Sequence, residues 1–377
     1  MKKCGVFLLG LLLLCGGVTT SHPVLAFNNP HTPVGPGPWF EGWYTRITDA
    51  NGERSLAVIV GSHLREGEKY QPGACLPGYI QILLSEDQGA PVLAFEAFPE
   101  CTHALANGQP VQGWAGFSGP SDFEWVAEGY GNITDDSVDL EIPGGARVRA
   151  RFAENLSWRE VFGEVGPEGL LSVLPLPMHW YVHSLGSRAE FEYEILDGAH
   201  VGGPIESTGY AHQEKNWGNA FPQAWMWIEG IGGENRSQLV AGGGKLAIGP
   251  MMFRPWILGY HSPSIRWDFN FARPGTVFQT EIDPCRGYFH LRARTPTRTL
   301  DVTASAPLDS FGMVGIPQAE GFVSNGAIES FSATIQVKAY RHTTLTGLFG
   351  VERLVEEQVF TNAVLEFGAD YKHCSPN

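Results

Sequence analysis

Short segments in which apolar and polar residues alternate run through the chain from residue 38 to residue 368. Examples are "SLAVIVGSH" (55–63), "YIQILLS" (79–85) and "FSATIQVKAY" (331–340). Side chains of a β-strand point to opposite faces at every second residue, so this period predicts strands, and almost no segment has the helical period. The 47 glycines and 26 prolines supply turns between the strands. The pattern predicts an all-β protein, built as a sandwich or a barrel.

The segment "DGAHVGGPIESTGY" (197–210), which is rich in glycine and other turn formers, interrupts the strand pattern near the middle of the chain. We expect a domain boundary there, so that residues 27–200 and 201–377 form an N-terminal and a C-terminal β domain of ordinary size. Ligand pockets often form where two such domains meet.

Residues 1–26 have the features of a secretory signal peptide. Lys2 and Lys3 precede the apolar run "GVFLLGLLLLCGGV" (5–18), and "VLA" before Phe27 resembles a cleavage site, with cleavage nearer Thr20 as an alternative. The run is shorter than the ~20 residues that a membrane-spanning helix needs. The sequence therefore predicts an exported protein, secreted or periplasmic, or one that reaches a complex plastid through a bipartite signal.

The charge balance limits the partners of the mature chain. The net charge is −15, from 40 acidic and 25 basic residues. Nucleic-acid binding needs a basic surface, so nucleic acid is not an expected partner. No segment beyond the signal is apolar over a length that crosses a bilayer, so no stable membrane span is expected in the mature chain.

Four cysteines follow the signal segment. Cys75, Cys101, Cys285 and Cys374 permit three pairings in an exported chain. Proximity in sequence favours the disulfides Cys75–Cys101 and Cys285–Cys374. Four free buried thiols are the alternative.

The segment "PWFEGWYTRI" (38–47) places an acid between two indoles. On a strand, Glu41 shares a face with Trp39 and Trp43, whereas Tyr44 lies on the other face. Burial of that face would raise the pKa of Glu41 and make it a proton donor. The alternative is a structural ion pair between Glu41 and a cation such as Arg46 or Lys215.

The segment "PMHWYVHSLGS" (177–187) contains two histidines four residues apart. The flanking prolines and the neighbouring Tyr181 and Val182 favour a strand, on which His179, Tyr181 and His183 share one face. A zinc site needs further ligands, and no cysteine or carboxylate stands at a suitable spacing, so no metal is expected. A pocket wall of hydrogen-bonding rings is the favoured interpretation, and a pair of core histidines is the alternative.

The segment "HQEKNWGNAFPQAWMWIEG" (212–230) combines an acid, a base and three tryptophans. On strands, Glu214 and Asn216 share one face, whereas Lys215 and Trp217 share the other. An acid beside indole faces suits a site that generates a carbocation, because each indole attracts a cation by ~0.5–2 kcal/mol. The alternative is a core strand with a Glu–Lys ion pair.

Together these segments resemble blocks of the tocopherol cyclase family, which is lipocalin-like. "FEGWYTRI", "MHWYVHSLG" and "EKNWGNAFPQAWMWIE" with "LVAGGGKL" (239–246) occur in the same order as in that family, and "IRWDF" and "ESFSATIQVKAY" fall where its last strands would lie. The resemblance covers most of residues 38–368. "FEGWY" and "EKNWG" are specific as a pair.

The resemblance implies two lipocalin-like β-barrel or β-sandwich domains, packed side by side around a shared pocket for a hydrophobic prenylated molecule. It implies an intramolecular cyclase that uses no cofactor. A proton is added to the side-chain alkene of a prenylated quinol or phenol, and the phenol oxygen closes on the tertiary cation to give a chromanol. This reaction needs an acid, an acceptor for the phenol proton and aromatic walls.

The resemblance also gives candidate site residues. The candidate catalytic residues are Glu214, Glu41, Lys215 and His179. Glu214 is preferred to Glu41 as the acid, and Lys215 is preferred as an ion-pair partner. The candidate substrate-binding residues are Trp43, Tyr44, Tyr181, His183, Asn216, Trp217, Trp225 and Trp227.

Two other functions remain open from the sequence. An exported lipocalin-like carrier of an isoprenoid ligand would use the same apolar pocket without catalysis. A hydratase or isomerase of another terpenoid is the third possibility.

Overall fold

A computed structural model describes most of the chain. The described residues are 29–86, 89–110, 122–158, 166–198, 203–233, 235–343 and 351–374. The predicted signal peptide, residues 1–26, lies outside them. Within the described ranges, no helix is long and apolar enough to cross a membrane.

Twelve strands form the first antiparallel sheet, in the order β4-β3-β2-β1-β12-β11-β10-β9-β8-β7-β5-β6. They are β1 (Trp39–Asp49), β2 (Ser55–Leu64), β3 (Gly78–Ser85), β4 (Leu93–Ala97), β5 (Thr102–Ala106), β6 (Gln109–Pro110), β7 (Phe123–Ala127), β8 (Gly131–Thr134), β9 (Ser137–Ile142), β10 (Ala146–Ala153), β11 (Met178–Ile195) and β12 (Ile205–Gly218).

Eleven strands form the second antiparallel sheet, in the order β17-β16-β14-β13-β23-β22-β20-β19-β18, with β15 paired to β14 and β21 to β22. They are β13 (Ala224–Ile231), β14 (Gln238–Ile248), β15 (Met251–Phe253), β16 (Trp256–His261), β17 (Arg266–Asn270), β18 (Val277–Asp283), β19 (Tyr288–Arg294), β20 (Arg298–Ser305), β21 (Gly312–Gln318), β22 (Gly321–His342) and β23 (Glu352–Ala369). The short 3₁₀ helices are Gly169–Val173, Pro284–Arg286, Leu308–Ser310 and Asp370–Lys372.

The prediction of an all-β protein with two side-by-side β units is confirmed. Each sheet curls around its own apolar core, and a third core lies where the sheets face each other. Strands at this contact are buried on both faces, as in β3 and β13, where every residue is buried. Strands away from it, such as β10, alternate buried and more exposed residues. The sequence reflects this difference, because "YIQILLS" has successive apolar residues at 82–84, on both faces of its strand, whereas "ARVRARFA" alternates.

The chain passes from one sheet to the other later than the expected domain boundary. The strand β12 follows residue 200 but pairs with β1 and β11 of the first sheet. The sheets therefore divide between Gly218 and Ala224. That residues 27–200 and 201–377 form two separate domains stays a prediction.

The cysteine prediction is half right. Cys285 and Cys374 form a disulfide, with their Cα atoms 5.0 Å apart, which joins the 3₁₀ helix before β19 to the carboxy end. Cys75 and Cys101 are free thiols, so the prediction of a Cys75–Cys101 disulfide is wrong for this structure. An antiparallel bridge between Leu76 and Thr102 explains why, because its register places Cys75 opposite His103 and not opposite Cys101.

A buried ion pair joins the two sheets. Arg46 of β1 donates from Nη1 to Oε2 of Glu229 in β13 at 2.6 Å, and both side chains are almost fully excluded from solvent. A second nitrogen of Arg46 donates to Ser55 and to the backbone oxygen of Asn362 in β23. The guanidinium therefore contacts three strands, two of which belong to the opposite sheet.

Replacement of this cation by an apolar side chain should destabilise the protein strongly. Arg46→Met leaves the Glu229 carboxylate buried without its partner, and breaking a buried pair costs about 3–5 kcal/mol. Urea denaturation followed by tryptophan fluorescence measures the loss. The double variant Arg46→Met/Glu229→Leu removes both charges and should recover most of the lost stability. If the single variant is as stable as the parent, this ion pair does not hold the sheets together.

Candidate functional site

A cavity of about 300 Å³ lies between the two sheets. Strands β1, β2, β11 and β12 form one wall, and β13, β14, β16, β21, β22 and β23 form the other. Its surface is mostly apolar, and the aromatic side chains that line it include Phe40, Tyr44, Trp180, Phe221, Trp225 and Trp227. Among the described residues, the lining contains carboxyl groups but no lysine or arginine.

Glycines of β14 lie in the cavity wall and let the neighbouring strand approach closely. The sequence "AGGGK", which does not have the spacing of a phosphate loop, forms part of a strand, and Gly242, Gly243 and Gly244 line the wall. A Cβ at Gly243 would lie 2.4 Å from the backbone oxygen of Pro255 and 2.5 Å from the ring of Trp256. Larger residues would therefore push the neighbouring strand and its indole out of place.

Two glutamates of the second sheet face each other across a strand pair. Glu329 of β22 and Glu366 of β23 are directly paired in the antiparallel register, and Glu366 lines the cavity. The hydroxyl of Tyr44 donates to Oε1 of Glu329 at 2.9 Å, and the indole nitrogen of Trp225 donates to Glu366. Like charges directly opposite each other are unfavourable, so this carboxyl pair favours retention of a proton.

Burial is the main cause of raised pKa values in this carboxyl pair. Loss of solvation raises the pKa of Glu329 well above its ordinary value, and the charge of Glu366 adds to the effect. Loss of solvation likewise raises the pKa of Glu366 to about 7, against the hydrogen bond from Trp225, which lowers it. At neutral pH the pair therefore holds at least one proton beside an apolar cavity, which is the state that a general acid needs.

Glu214 faces the same cavity from the first sheet. It is buried, it lines the cavity together with Asn216, and its Oε2 lies 2.9 Å from Nε2 of His212. Its charge also contributes to the raised pKa of Glu366. The predicted sharing of one face by Glu214 and Asn216 is observed, and it is the cavity face.

Glu41 lies on the opposite side of its strand, outside the cavity lining, and is not placed to act as the cavity acid. Its Oε1 lies 2.8 Å from Nζ of Lys215 and 2.8 Å from Nδ1 of His31, and its Oε2 accepts from the backbone nitrogen of His31 at 2.7 Å. Burial raises the pKa of Glu41, but Lys215 and His31 lower it by a larger amount. The pKa of Glu41 therefore lies below its ordinary value. The ion-pair alternative is therefore the observed one, and Lys215 is its cation.

A stack of rings covers this ion pair. His31 lies on Trp217 with ring centroids 4.3 Å apart, and Trp217 lies on His179 at 5.0 Å. The ammonium of Lys215 lies 4.8 Å from the centre of the Trp217 ring. The expectation that Trp217 binds substrate in the cavity is therefore not supported, because its indole packs inside the first sheet.

His179, Tyr181 and His183 share one face of β11, as expected, but none of them lines the cavity. The neighbours Met178 and Trp180 line it instead, because the alternation places them on the opposite face. His179 pairs through Nδ1 with Oε2 of Glu168 at 2.9 Å. The predicted roles of these rings in the pocket wall are therefore not supported by their position.

The remaining predicted residues lie at the cavity. Tyr44, Trp225 and Trp227 line it. Trp43 borders it too, although its indole stacks on Phe123 inside the first sheet at 4.8 Å between ring centroids.

Sequence reasoning missed Glu329, Glu366 and Glu168. Glu366 is the single charged residue in "NAVLEFG", in which residues 363–365 are apolar, and Glu329 precedes the apolar-alternating "SFSATI". An isolated acid within a core strand is a usable signal, because such a group must find a partner or keep its proton. Their direct pairing depends on the β22–β23 register, which no local pattern specifies.

Comparison with known proteins places the chain among characterised folds. A family model described as tocopherol cyclase-like matches residues 37–369. The chain is 26% identical over 264 residues to the protein named "Tocopherol cyclase, chloroplastic" from Zea mays, and the match covers 59% of this chain and 54% of the maize protein. The chain thus spans about half the length of that relative.

Solved structures share the fold. CghA, crystallised with Sch210972, has a TM-score of 0.56 at 10% identity, covering 93% of this chain and 98% of CghA. A second structure of CghA has the same TM-score at 11% identity, covering 92% of this chain and 96% of CghA. At these identities the likeness shows a common architecture.

The buried carboxyl of Glu366 should make the folded state less stable at alkaline pH. Its folded pKa of about 7 exceeds the ordinary value of 4.5, so the folded state binds more protons than the unfolded state between these values. Stability therefore falls as pH rises from 4.5 through 7. Glu366→Gln cannot ionise, and its melting temperature should fall less between pH 5 and pH 8 than that of the parent.

Thermal melts at the two pH values, read by circular dichroism, measure this difference. The matched control is Glu320→Gln, at an exposed position in the turn between β21 and β22, which should keep the parent's pH dependence. Equal pH dependence in the parent and in Glu366→Gln would mean that Glu366 is ionised in the folded state at pH 5.

Proposed function

The chain belongs to the tocopherol cyclase-like family, and on that premise we propose that it is an intramolecular cyclase, which closes a prenylated quinol or phenol to a chromanol in the cavity between the sheets. The observation that carries this proposal is the Glu329–Glu366 carboxyl pair, which keeps a proton at neutral pH in an apolar, aromatic wall. A hydrophobic isoprenoid side chain suits such a lining.

The proposed reaction begins with proton transfer from Glu366. The proton adds to the less substituted carbon of a trisubstituted side-chain alkene, the alkene π bond breaks, and a tertiary cation forms at the other carbon. The phenol oxygen then donates an electron pair to that cation, and a carbon–oxygen bond closes the ring. The phenol proton passes to a carboxylate, so substrate and product are isomers and no cofactor is consumed.

The indoles of Trp225 and Trp227 support the cationic step. Both line the cavity, and the indole nitrogen of Trp225 donates to Glu366, which places this ring beside the acid. Aromatic faces attract a cation by about 2 kcal/mol or more when water is excluded. The lining lacks lysine and arginine among the described residues, so no fixed positive charge opposes the developing cation.

Glu214 is the proposed acceptor of the phenol proton. It lies on the wall opposite Glu366, and its Oε2 lies within hydrogen-bond distance of Nε2 of His212, at 2.9 Å. The two carboxyl groups thus have different roles. Glu366 belongs to a pair whose pKa values are raised, whereas Glu214 contacts the imidazole of His212.

A second candidate function is a carrier of the same hydrophobic ligands, which the mostly apolar lining supports. A carrier needs apolar walls and a few polar anchors, but it does not need a protonated carboxyl pair. The cyclase is preferred because Glu366 accepts a hydrogen bond from a neutral indole and has no ion-pair partner among the described residues.

We also propose that the protein is exported to an oxidising compartment. The Cys285–Cys374 disulfide fits an oxidising environment, as expected for an exported chain. The maize relative is named as chloroplastic, which keeps a plastid destination open as the alternative.

Glu366→Gln should abolish turnover while the fold is retained. A positioned general acid contributes about 10²–10⁴-fold, so a loss of at least about 100-fold in kcat is expected. The assay incubates purified protein with prenyl-benzoquinols of several chain lengths and follows the isomeric chromanol by chromatography and mass spectrometry. In the parent, kcat should fall as pH rises above about 7, because the acid loses its proton.

The control is Glu41→Gln, which changes a buried glutamate outside the cavity. It should lower stability, because Lys215 loses its carboxylate partner, but the folded fraction should keep the parent's pH profile. Binding of a prenyl-quinol without chromanol formation by the parent, at every chain length tested, would support the carrier and reject the cyclase. Full activity in Glu366→Gln would reject Glu366 as the acid.

A further inference from the structure

Three metal-ligating side chains meet on the first sheet, away from the cavity. The sulfurs of Cys75 and Cys101 and a ring nitrogen of His103 all lie within 4.8 Å of one another. Within the described ranges, this is the one group of three or more such side chains with ligand atoms this close. We propose that Cys75, Cys101 and His103 bind one zinc ion.

The backbone dictates this convergence. Leu76 and Thr102 exchange two backbone hydrogen bonds, of 3.1 and 2.8 Å, in an antiparallel bridge. Continuing that register places Cys75 directly opposite His103. Cys101 and His103 are two residues apart at the start of β5, so their side chains point to the same face. The three ligands therefore share one face because of strand geometry.

The spacing matches a tetrahedral zinc site. Sγ of Cys101 lies 3.6 Å from Nε2 of His103. A tetrahedral ion with bonds of about 2.3 Å to sulfur and about 2.0–2.1 Å to nitrogen sets these atoms about 3.6 Å apart. Cys75 is exposed, and the other two ligands are partly exposed, so an ion can enter from solvent and water can take the fourth position.

The register disfavours a disulfide at this place. Cys75 and Cys101 are diagonal neighbours across the bridge, and Cα atoms of diagonal neighbours are typically ~7–8 Å apart. Disulfides usually need Cα separations below about 7 Å. A metal ion tolerates a longer separation, because each sulfur bonds to the ion and not to the other sulfur. The ion would tie the loop before β3 to β5.

Zinc binding must displace protons from the two thiols. The hydrogen bond with Cys75 raises the pKa of Cys101 to about 11, so Cys101 is a thiol at neutral pH in the absence of an ion. On binding, each sulfur forms a bond to zinc and releases its proton to solvent, while neutral His103 donates a lone pair. No electrons are transferred, so no oxidant or reductant is needed.

Cobalt(II), a spectroscopic substitute for zinc, tests the site directly. Protein purified without reductant or oxygen is first alkylated, and mass spectrometry should find labels on Cys75 and Cys101, with Cys285 and Cys374 unlabelled. Titration of unlabelled protein with cobalt(II) should then give thiolate-to-cobalt absorption that saturates at one equivalent. One equivalent of zinc should abolish that absorption.

The variants Cys75→Ser and His103→Ala should weaken cobalt binding at least about 100-fold, since even outer-shell partners of a metal are worth about 10–100-fold. The matched control is His290→Ala, on β19 of the second sheet, which should leave the absorption unchanged. Circular dichroism checks that each variant is folded.

Three results would overturn the site. One is a Cys75–Cys101 disulfide in the protein purified without oxygen. Another is the absence of thiolate absorption in the parent. The last is absorption that survives in folded His103→Ala and Cys75→Ser, which would locate the metal elsewhere. None of these measurements depends on enzymatic activity, so the outcome is separate from that of the cyclase proposal.

Discussion

The antiparallel pairing of β1 with β12 is the constraint on which the rest of the structure depends. Residues 211–215 of β12 are buried on both faces, and β1 is buried or half-buried throughout, so alternate residues enter two different interiors. Tyr44 and Glu214 are direct partners in this register and turn toward the cavity, whereas Trp43 and Lys215 are partners one step away and turn into the first sheet. A shift of one residue would exchange these two sets of side chains.

Burial penalises charge near this contact, and four of the glutamates there respond in two ways. Glu229 and Glu41 each meet a buried cation, Arg46 and Lys215 respectively. Among the described residues, the Glu329–Glu366 pair has no ion-pair partner, and it keeps a proton instead. The placement of the two cations therefore decides which glutamates are structural carboxylates and which remain acids.

The sequence predicts this arrangement only in part. Alternation assigns Glu41 and Tyr44 to opposite faces, and Glu214 and Lys215 likewise, and the structure agrees. Alternation cannot say which face meets the cavity, because that depends on how the second sheet packs. For the same reason, the rings of His179, Tyr181 and His183 are expected at the cavity but lie on the opposite face of β11. The acid pair escaped prediction because it depends on register between distant strands.

The ion pair that joins the sheets, Arg46–Glu229, also keeps the pKa of Glu329 raised. The charge of Arg46 alone would lower the pKa of Glu329, and that of Glu229 raises it, so the two effects oppose each other. Because Arg46 is held against Glu229 at 2.6 Å, the pair is close to neutral as seen from Glu329, and loss of solvation dominates. The side chains of Arg46 and Glu229 therefore contribute both to the packing of the two sheets and to the protonation state of Glu329.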